Sequence, residues 1–249
     1  MTNPSKRYKN RGIVTEQEIA EMISKAEEIP NKYFRLRVKA LIALVKKFGK
    51  RRIEQTLLKR SDLKIQRGYL YVTFTIRKKH KRGLFQYFQF LKKTNPEALN
   101  KPLPILQDEW KTWQTTEEGC HMKEEKREKR ISIEDKYIKF VLEYMDYLSK
   151  NHNEVVYVFP SGHSVFGTTY IFYPDIALSG RQLLRLIKPL NPKAWLHLLR
   201  ETKGAEVARD KGNTLDSVYS VRDTLDLENE ETAYRYVRRY AVQEIKAEK

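Results

Sequence analysis

The chain reads as an α+β protein, mostly helical, with a small antiparallel β-sheet. Two observations carry this. Apolar residues recur at helical spacing through most of the 249 residues, in stripes that end at Gly or Pro. Near residue 69 the period changes to two, with aromatic and β-branched residues alternating as a half-buried strand requires. A third observation bears on partners rather than fold. Lys and Arg number 49 against 32 Asp and Glu, a net charge of +17. A surface that basic neutralises phosphates and releases their counterions.

The elements follow in order. Lys6, Arg7, Lys9 and Arg11 make residues 1–14 a basic arm, with no apolar stretch behind them to act as a secretion signal. Thr15-Glu16-Gln17-Glu18 has the form of a capping box, and Ile19, Met22, Ile23 and Ala26 follow on one helical face until Pro30. Phe34, Val38, Leu41, Ile42 and Val45 form the stripe of a second helix that ends at Gly49. A third helix begins near Arg51 and carries Ile53, Leu57 and Leu58 as far as Ser61-Asp62. Residues 69–77 and 84–90 read as the two strands of a hairpin around a basic turn, 78–83. Residues 93–130, broken by Pro96, Pro102 and Pro104, read as an insertion. The spacing then predicts a helix over 133–148, a short strand over 155–159, and a loop through Gly162, Gly167 and Pro174. Helices follow over 183–187, from Trp195 to about 209, over 218–225 and over 231–245, with Gly212-Asn213 as a turn. Residues 15–249 form one domain on this reading.

Composition excludes several classes. One cysteine, Cys120, rules out an internal disulfide framework and fits a reducing compartment. No apolar run approaches the ~20 residues of a membrane span. Cys120-His121 has no further ligands at metal-binding spacing, so no metal site is expected.

Three short segments carry the chemistry. They are Gly49-Lys50-Arg51-Arg52-Ile53-Glu54, His197-Leu198-Leu199-Arg200 and Thr232-Ala233-Tyr234-Arg235-Tyr236. Cleaving a phosphodiester without a metal requires a nucleophile, positive charge on the non-bridging oxygens, a proton-handling group and an acid for the leaving oxygen. Arginine suits the second need, because its planar fork fits phosphate oxygens and stays charged. Lysine or histidine suits proton transfer, and tyrosine can be the nucleophile if assisted.

In this order, the segments resemble the boxes of the tyrosine recombinase, or phage-integrase, family. The resemblance runs from about Thr15 to Tyr240 and centres on the catalytic domain. It implies Arg51, Arg200 and His197 as phosphate- and proton-handling residues, Glu54 as the first box's acidic support, and Tyr236 as nucleophile, with Tyr234 second. It also implies a hairpin lysine as the acid. Lys79 is favoured because it shares a strand face with Thr73, Thr75 and Arg77, and Lys78 is second. Arg130-Ile131-Ser132-Ile133 is an alternative arm for that hairpin.

Two positions depart from the family pattern. Leu227 stands where a His or Trp is usual, and Glu201 where a second histidine is common. The resemblance leaves the family's usual N-terminal core-binding domain unmatched, as expected of a catalytic fragment or of a natural minimal form. The resemblance implies double-stranded DNA as partner and a tetramer on two DNA sites, with the tail from Ala241 docking on a neighbour. It implies no cofactor, no metal and no membrane, and a cytoplasmic, nucleoid-associated protein. The pattern is similar to archaeal mobile-element integrases. A type IB topoisomerase-like nicking enzyme and a catalytically lapsed DNA-binding protein share the same motifs.

Overall fold

The computed structural model of the chain describes residues 13–165, 169–194, 196–212 and 214–247; the side chains at 79, 164, 165, 169 and 239–247 are not described. The basic arm from Lys6 to Arg11, Gly167, Trp195, Asn213 and the side chains of Lys79 and the C-terminal tail therefore lie outside the described residues.

Thr15 starts α1 (Glu16–Glu27) with the expected capping box. Its hydroxyl accepts from the Glu18 N–H at 3.1 Å, and the Glu18 carboxylate accepts from the Thr15 N–H at 2.8 Å. Asn31 caps α2 (Lys32–Phe48). From Leu36 to Lys46, α2 is buried on every side, its cations included. A buried charge needs a partner, and each has one. Lys39 meets Glu27, Lys46 meets Glu16 and Glu206, and Arg37 lies 4.8 Å from the rings of Tyr33 and Phe34.

The chain continues through α3 (Arg52–Thr56), β1 (Leu63–Gln66), β2 (Tyr69–Lys81), α4 (Leu84–Thr94), α5 (Leu103–Trp113), β3 (Cys120–Ser132) and α6 (Ile138–Asn151). Then come β4 (Pro160–Val165), β5 (Thr169–Ala177), α7 (Gly180–Ile187), α8 (Leu196–Asp210), α9 (Leu215–Leu225) and α10 (Glu230–Ala247). Helix α2 packs against α1, α6, α7 and α8, and α8, α9 and α10 pack on one another. Strands β1, β2 and β3 form one sheet in that order, and β4 pairs with β5 in a second. Two compact units result: Met1–Phe74 with Glu128–Lys249, and Thr75–Arg127. The second has its own core of Tyr87, Leu91, Ala98, Leu106 and Trp113, with Leu84 and Phe88 packed on it.

Several expectations need correction. Residues 84–90 are helix, not strand. The segment is rich in aromatics, which favours a strand reading, but Leu84, Tyr87, Phe88 and Leu91 also fall on one helical face, and burial against Trp113 selects that period. The tight hairpin lies earlier, between β1 and β2, where Arg67 (φ 50°) and Gly68 (φ 75°) make a two-residue turn. Two positive φ values are what such a turn demands. The other partner of β2 is β3, whose end contains the Arg130 arm. Helix α6 accordingly begins at Ile138 rather than at 133, because Ile133 donates its N–H to the Gly68 carbonyl at 3.1 Å beside that strand.

The loop expected around Gly162 and Pro174 is the β4–β5 hairpin. Pro174 sits beside the register shift at Pro160/Ser161, where a missing N–H is tolerated. A Cβ at Gly162 would lie 2.3 Å from the Ile171 carbonyl oxygen, so glycine there marks close strand approach rather than a loop. Residues 155–159 form no regular strand; Tyr157 makes an isolated bridge with Lys59, and Val156 donates its N–H to the Pro174 carbonyl at 3.0 Å.

Candidate active site

Arg51 is the N-cap of α3, set there by the αL turn at Gly49 (φ 58°) that ends α2. Its N–H donates to Glu54 Oε2 at 2.5 Å, and its guanidinium lies 3.3 Å from Glu54 Oε1. Glu54 is fully buried, yet its other side faces a second cation: Arg200 Nη1 is 3.8 Å from Oε2. One carboxylate thus bridges two arginines whose sequence positions are far apart.

Arg200 comes from α8 and is 1% exposed. Nη1 donates to the Gly49 carbonyl at 2.7 Å, and Nη2 donates to the Leu225 carbonyl. Those carbonyls close α2 and α9, so the guanidinium staples two helix ends together. Burial lowers its pKa from the usual arginine value; Glu54 opposes this, Arg51 adds to it, and the nearby Tyr236 hydroxyl opposes it again. An arginine remains charged in such surroundings.

Tyr236 is half-buried on α10 and packs on the cluster of Ala208, Val218, Val221, Leu225, Ala233 and Val237. Its ring lies over Gly204 of α8, where an added Cβ would come 2.9 Å from Tyr236 Cδ1. Tyr234, two residues earlier, is 55% exposed. Residues two apart on a helix do not share a face. His197, one turn before Arg200, is exposed and holds Glu201 through Nε2 at 3.2 Å. With Arg51, Arg52, Ile53, Leu184 and Leu196 it lines an open surface depression. Gly180, at the start of α7, leaves room beside this depression for Arg52, whose Nε would lie 2.5 Å from an added Cβ.

The structure therefore brings together Arg51, Glu54, Arg200 and Tyr236, with His197 beside Arg51. Leu227 packs against the α8–α9–α10 cluster and has no group with which to hydrogen-bond a ligand. Lys78 and Lys79 belong to the second unit, on β2, where Lys78 Nζ lies 3.8 Å from Glu125. Among the described residues, no group of three or more His, Cys, Asp or Glu could hold a metal ion. Gly204, Lys50 and Asp226 escape sequence reasoning. Lys50 and Asp226 form a buried ion pair across 176 residues, and neither carries a local signal. Chemically, two guanidinium groups share one buried carboxylate, with a phenol near one of them, which places positive charge beside a tyrosine.

No family model matches the sequence, and neither does any curated protein. Solved structures do match. The XerH site-specific recombinase bound to palindromic difH substrate, in its post-cleavage complex, aligns with a TM-score of 0.59 at 12% identity, over 98% of this chain and 54% of that one. The XerH pre-cleavage complex with difH substrate gives 0.53 at 12% identity, over 89% and 48%. The XerA recombinase gives 0.53 at 15% identity, over 92% and 61%. The chain spans 48–61% of the length of these neighbours. At such identities the likeness concerns fold, and with the helical majority and small antiparallel sheets it is specific: the chain has the catalytic-domain fold of the tyrosine recombinases.

Proposed function

We propose that the protein is a site-specific DNA recombinase or integrase that cuts and rejoins strands through a 3′-phosphotyrosine. The observation that carries this reading is a cluster in which Glu54 joins Arg200 to Arg51, with the Tyr236 hydroxyl close enough to act on Arg200. The phenolate oxygen of Tyr236 attacks the scissile phosphorus, the P–O5′ bond breaks, and the departing 5′-oxygen takes a proton from Lys79 or Lys78. Arg51 and Arg200 hold the non-bridging oxygens as charge builds in the pentacoordinate state. Loss of one such donor costs about 3–4 kcal/mol. His197 assists proton handling at the tyrosine or at the phosphate. Attack by another 5′-hydroxyl reverses the step, and the energy of the phosphodiester is kept in the tyrosyl link, so this mechanism needs no metal or nucleotide.

The partner is double-stranded DNA, engaged as a tetramer on two sites, in a cytoplasmic, nucleoid-associated setting. That fits the +17 charge and the lack, among the described residues, of any helix long and apolar enough to cross a membrane. A mobile-element integrase is the corresponding biological role. A topoisomerase-like relaxing enzyme would use the same chemistry without strand exchange between two sites.

A second reading has its own observation. Leu227 fills with packing a position where the family uses a hydrogen-bonding side chain, as a lapsed DNA-binding protein would. A labelled duplex nicked near the scissile phosphate separates enzyme from binder. The proposal expects a covalent protein–DNA adduct from the wild type and none from Tyr236→Phe. Binding without any adduct would favour the lapsed reading, and loss with Tyr234→Phe instead would move the nucleophile by two residues.

A further inference from the structure

The carbonyls of Gly49 and Leu225 hold the Arg200 guanidinium, and the residue after each is a member of one buried ion pair. Lys50 is 0% exposed and Asp226 is 1% exposed. Both Gly49 (φ 58°) and Asp226 (φ 48°) are left-handed, so each carbonyl is aimed by a turn that the pair then locks. The left-handed backbone at Asp226 is uncommon for a residue other than glycine, and Asp and Asn are among those that tolerate it.

Several groups surround the pair. Lys50 Nζ contacts Asp226 Oδ2, reaches the Thr224 carbonyl at 3.4 Å, and lies 5.3 Å from the Phe74 ring centroid. Lys129 of β3 approaches Asp226 Oδ1 at 3.6 Å and donates to the Asp223 carbonyl at 2.7 Å. Glu54 and Lys129 are the other charged groups that Lys50 senses. A buried ion pair is a poor way to gain stability, since apolar residues of similar volume often do as well. What it supplies is a fixed geometry between two chain segments.

We infer that Lys50 and Asp226 are positioning residues for the proposed cleavage: they fix the α2–α3 and α9–α10 junctions so that both carbonyls hold Arg200 in its cleavage-competent orientation. This rests on the recombinase reading, because Arg200 is the group positioned. The pair touches neither DNA nor the reacting atoms; it acts through Arg200. Burial pulls the Lys50 ammonium down to about 8 from 10.5, with Asp226 opposing. Between those values the folded state binds fewer protons than the unfolded chain, so this group makes stability rise with pH. Positioning makes the opposite demand on the reaction, because neutral Lys50 releases Asp226 and slackens the clamp.

The experiment measures adduct formation at saturating nicked DNA for the wild type and Lys50→Met/Asp226→Asn, with DNA affinity and thermal melting in parallel. Asn keeps the left-handed turn accessible. The double variant is expected to melt and bind DNA as the wild type does, yet to cleave about tenfold to a hundredfold more slowly, the effect of a sub-ångström misplacement. Cleavage at the wild-type rate overturns the inference. Should the double variant not fold, Lys50→Met alone decides, since Lys129 remains beside Asp226 at 3.6 Å: the same slowing with DNA affinity kept is expected, and cleavage at the wild-type rate overturns the inference. A wild type that binds DNA but forms no adduct at any pH overturns the recombinase reading itself, and the inference with it.

Discussion

Gly204 sits inside α8, where glycine costs about 1 kcal/mol relative to alanine. Its value is space: a Cβ would press on Tyr236 Cδ1 at 2.9 Å and Leu225 Cδ1 at 3.0 Å. Gly204→Val is therefore expected to displace the Tyr236 ring and slow adduct formation about tenfold or more, with DNA affinity retained. Rates at saturating DNA check this. Arg200→Lys tests the clamp. A single ammonium cannot serve two carbonyls and a phosphate as a planar fork does. Cleavage is expected to fall about 10²–10³-fold. The folded state is expected to lose roughly 1–3 kcal/mol if one buried carbonyl goes unpaired, read from a denaturant midpoint. At this scale the sequence was partly legible. Arg51, Glu54, Arg200 and Tyr236 lie in short boxes whose spacing survives, and they do converge. Lys50 and Asp226 look like ordinary surface charges until the fold buries both.

The elements were legible where one signal dominated. The Thr15 capping box and the Gly49 C-cap are local chemistry, and both stand where expected. Residues 84–90 satisfied a strand composition and a helical period together, and only burial against Trp113 chose between them. The turn at Arg67-Gly68 was hidden because arginine seldom takes a positive φ. Glu16, at the start of α1, accepts from Lys46 of α2 at 2.8 Å, from Lys136 ahead of α6 at 2.6 Å, and from the Tyr137 hydroxyl at 2.6 Å. Burial alone would raise its pKa, but hydrogen bonds from Lys136, Lys46 and Tyr137 prevail and hold it at about 2. The depressed folded value means stabilisation is present above the unfolded pKa of 4.5 and is lost as pH falls towards about 2. Glu16→Gln is expected to flatten the acid dependence of unfolding in that window, and urea titrations at stepped pH measure it.

At the scale of the whole molecule, charge is the feature that reads directly from sequence to function. A protein at +17 that grips six to ten phosphates should lose about 10³–10⁵ in DNA affinity between 50 and 200 mM salt. A titration of duplex binding against salt gives the slope, and a flat one would mean the basic surface serves something other than DNA. The division into two units was not legible. Residues 93–130 look irregular from their prolines, whereas the second unit, Thr75–Arg127, encloses its own aromatic core. Proline breaks mark helix starts there, since Pro102 and Pro96 stand at the N-terminal ends of helical segments.

In the proposed reaction Tyr236 becomes covalently joined to DNA. The protein–DNA adduct can be digested with protease and nuclease and the nucleotide-bearing peptide mapped by mass spectrometry. A 3′-phosphonucleotide is expected on Tyr236 and none on Tyr234. A modified Tyr234, or intact DNA recovered with no modified peptide, would contradict it.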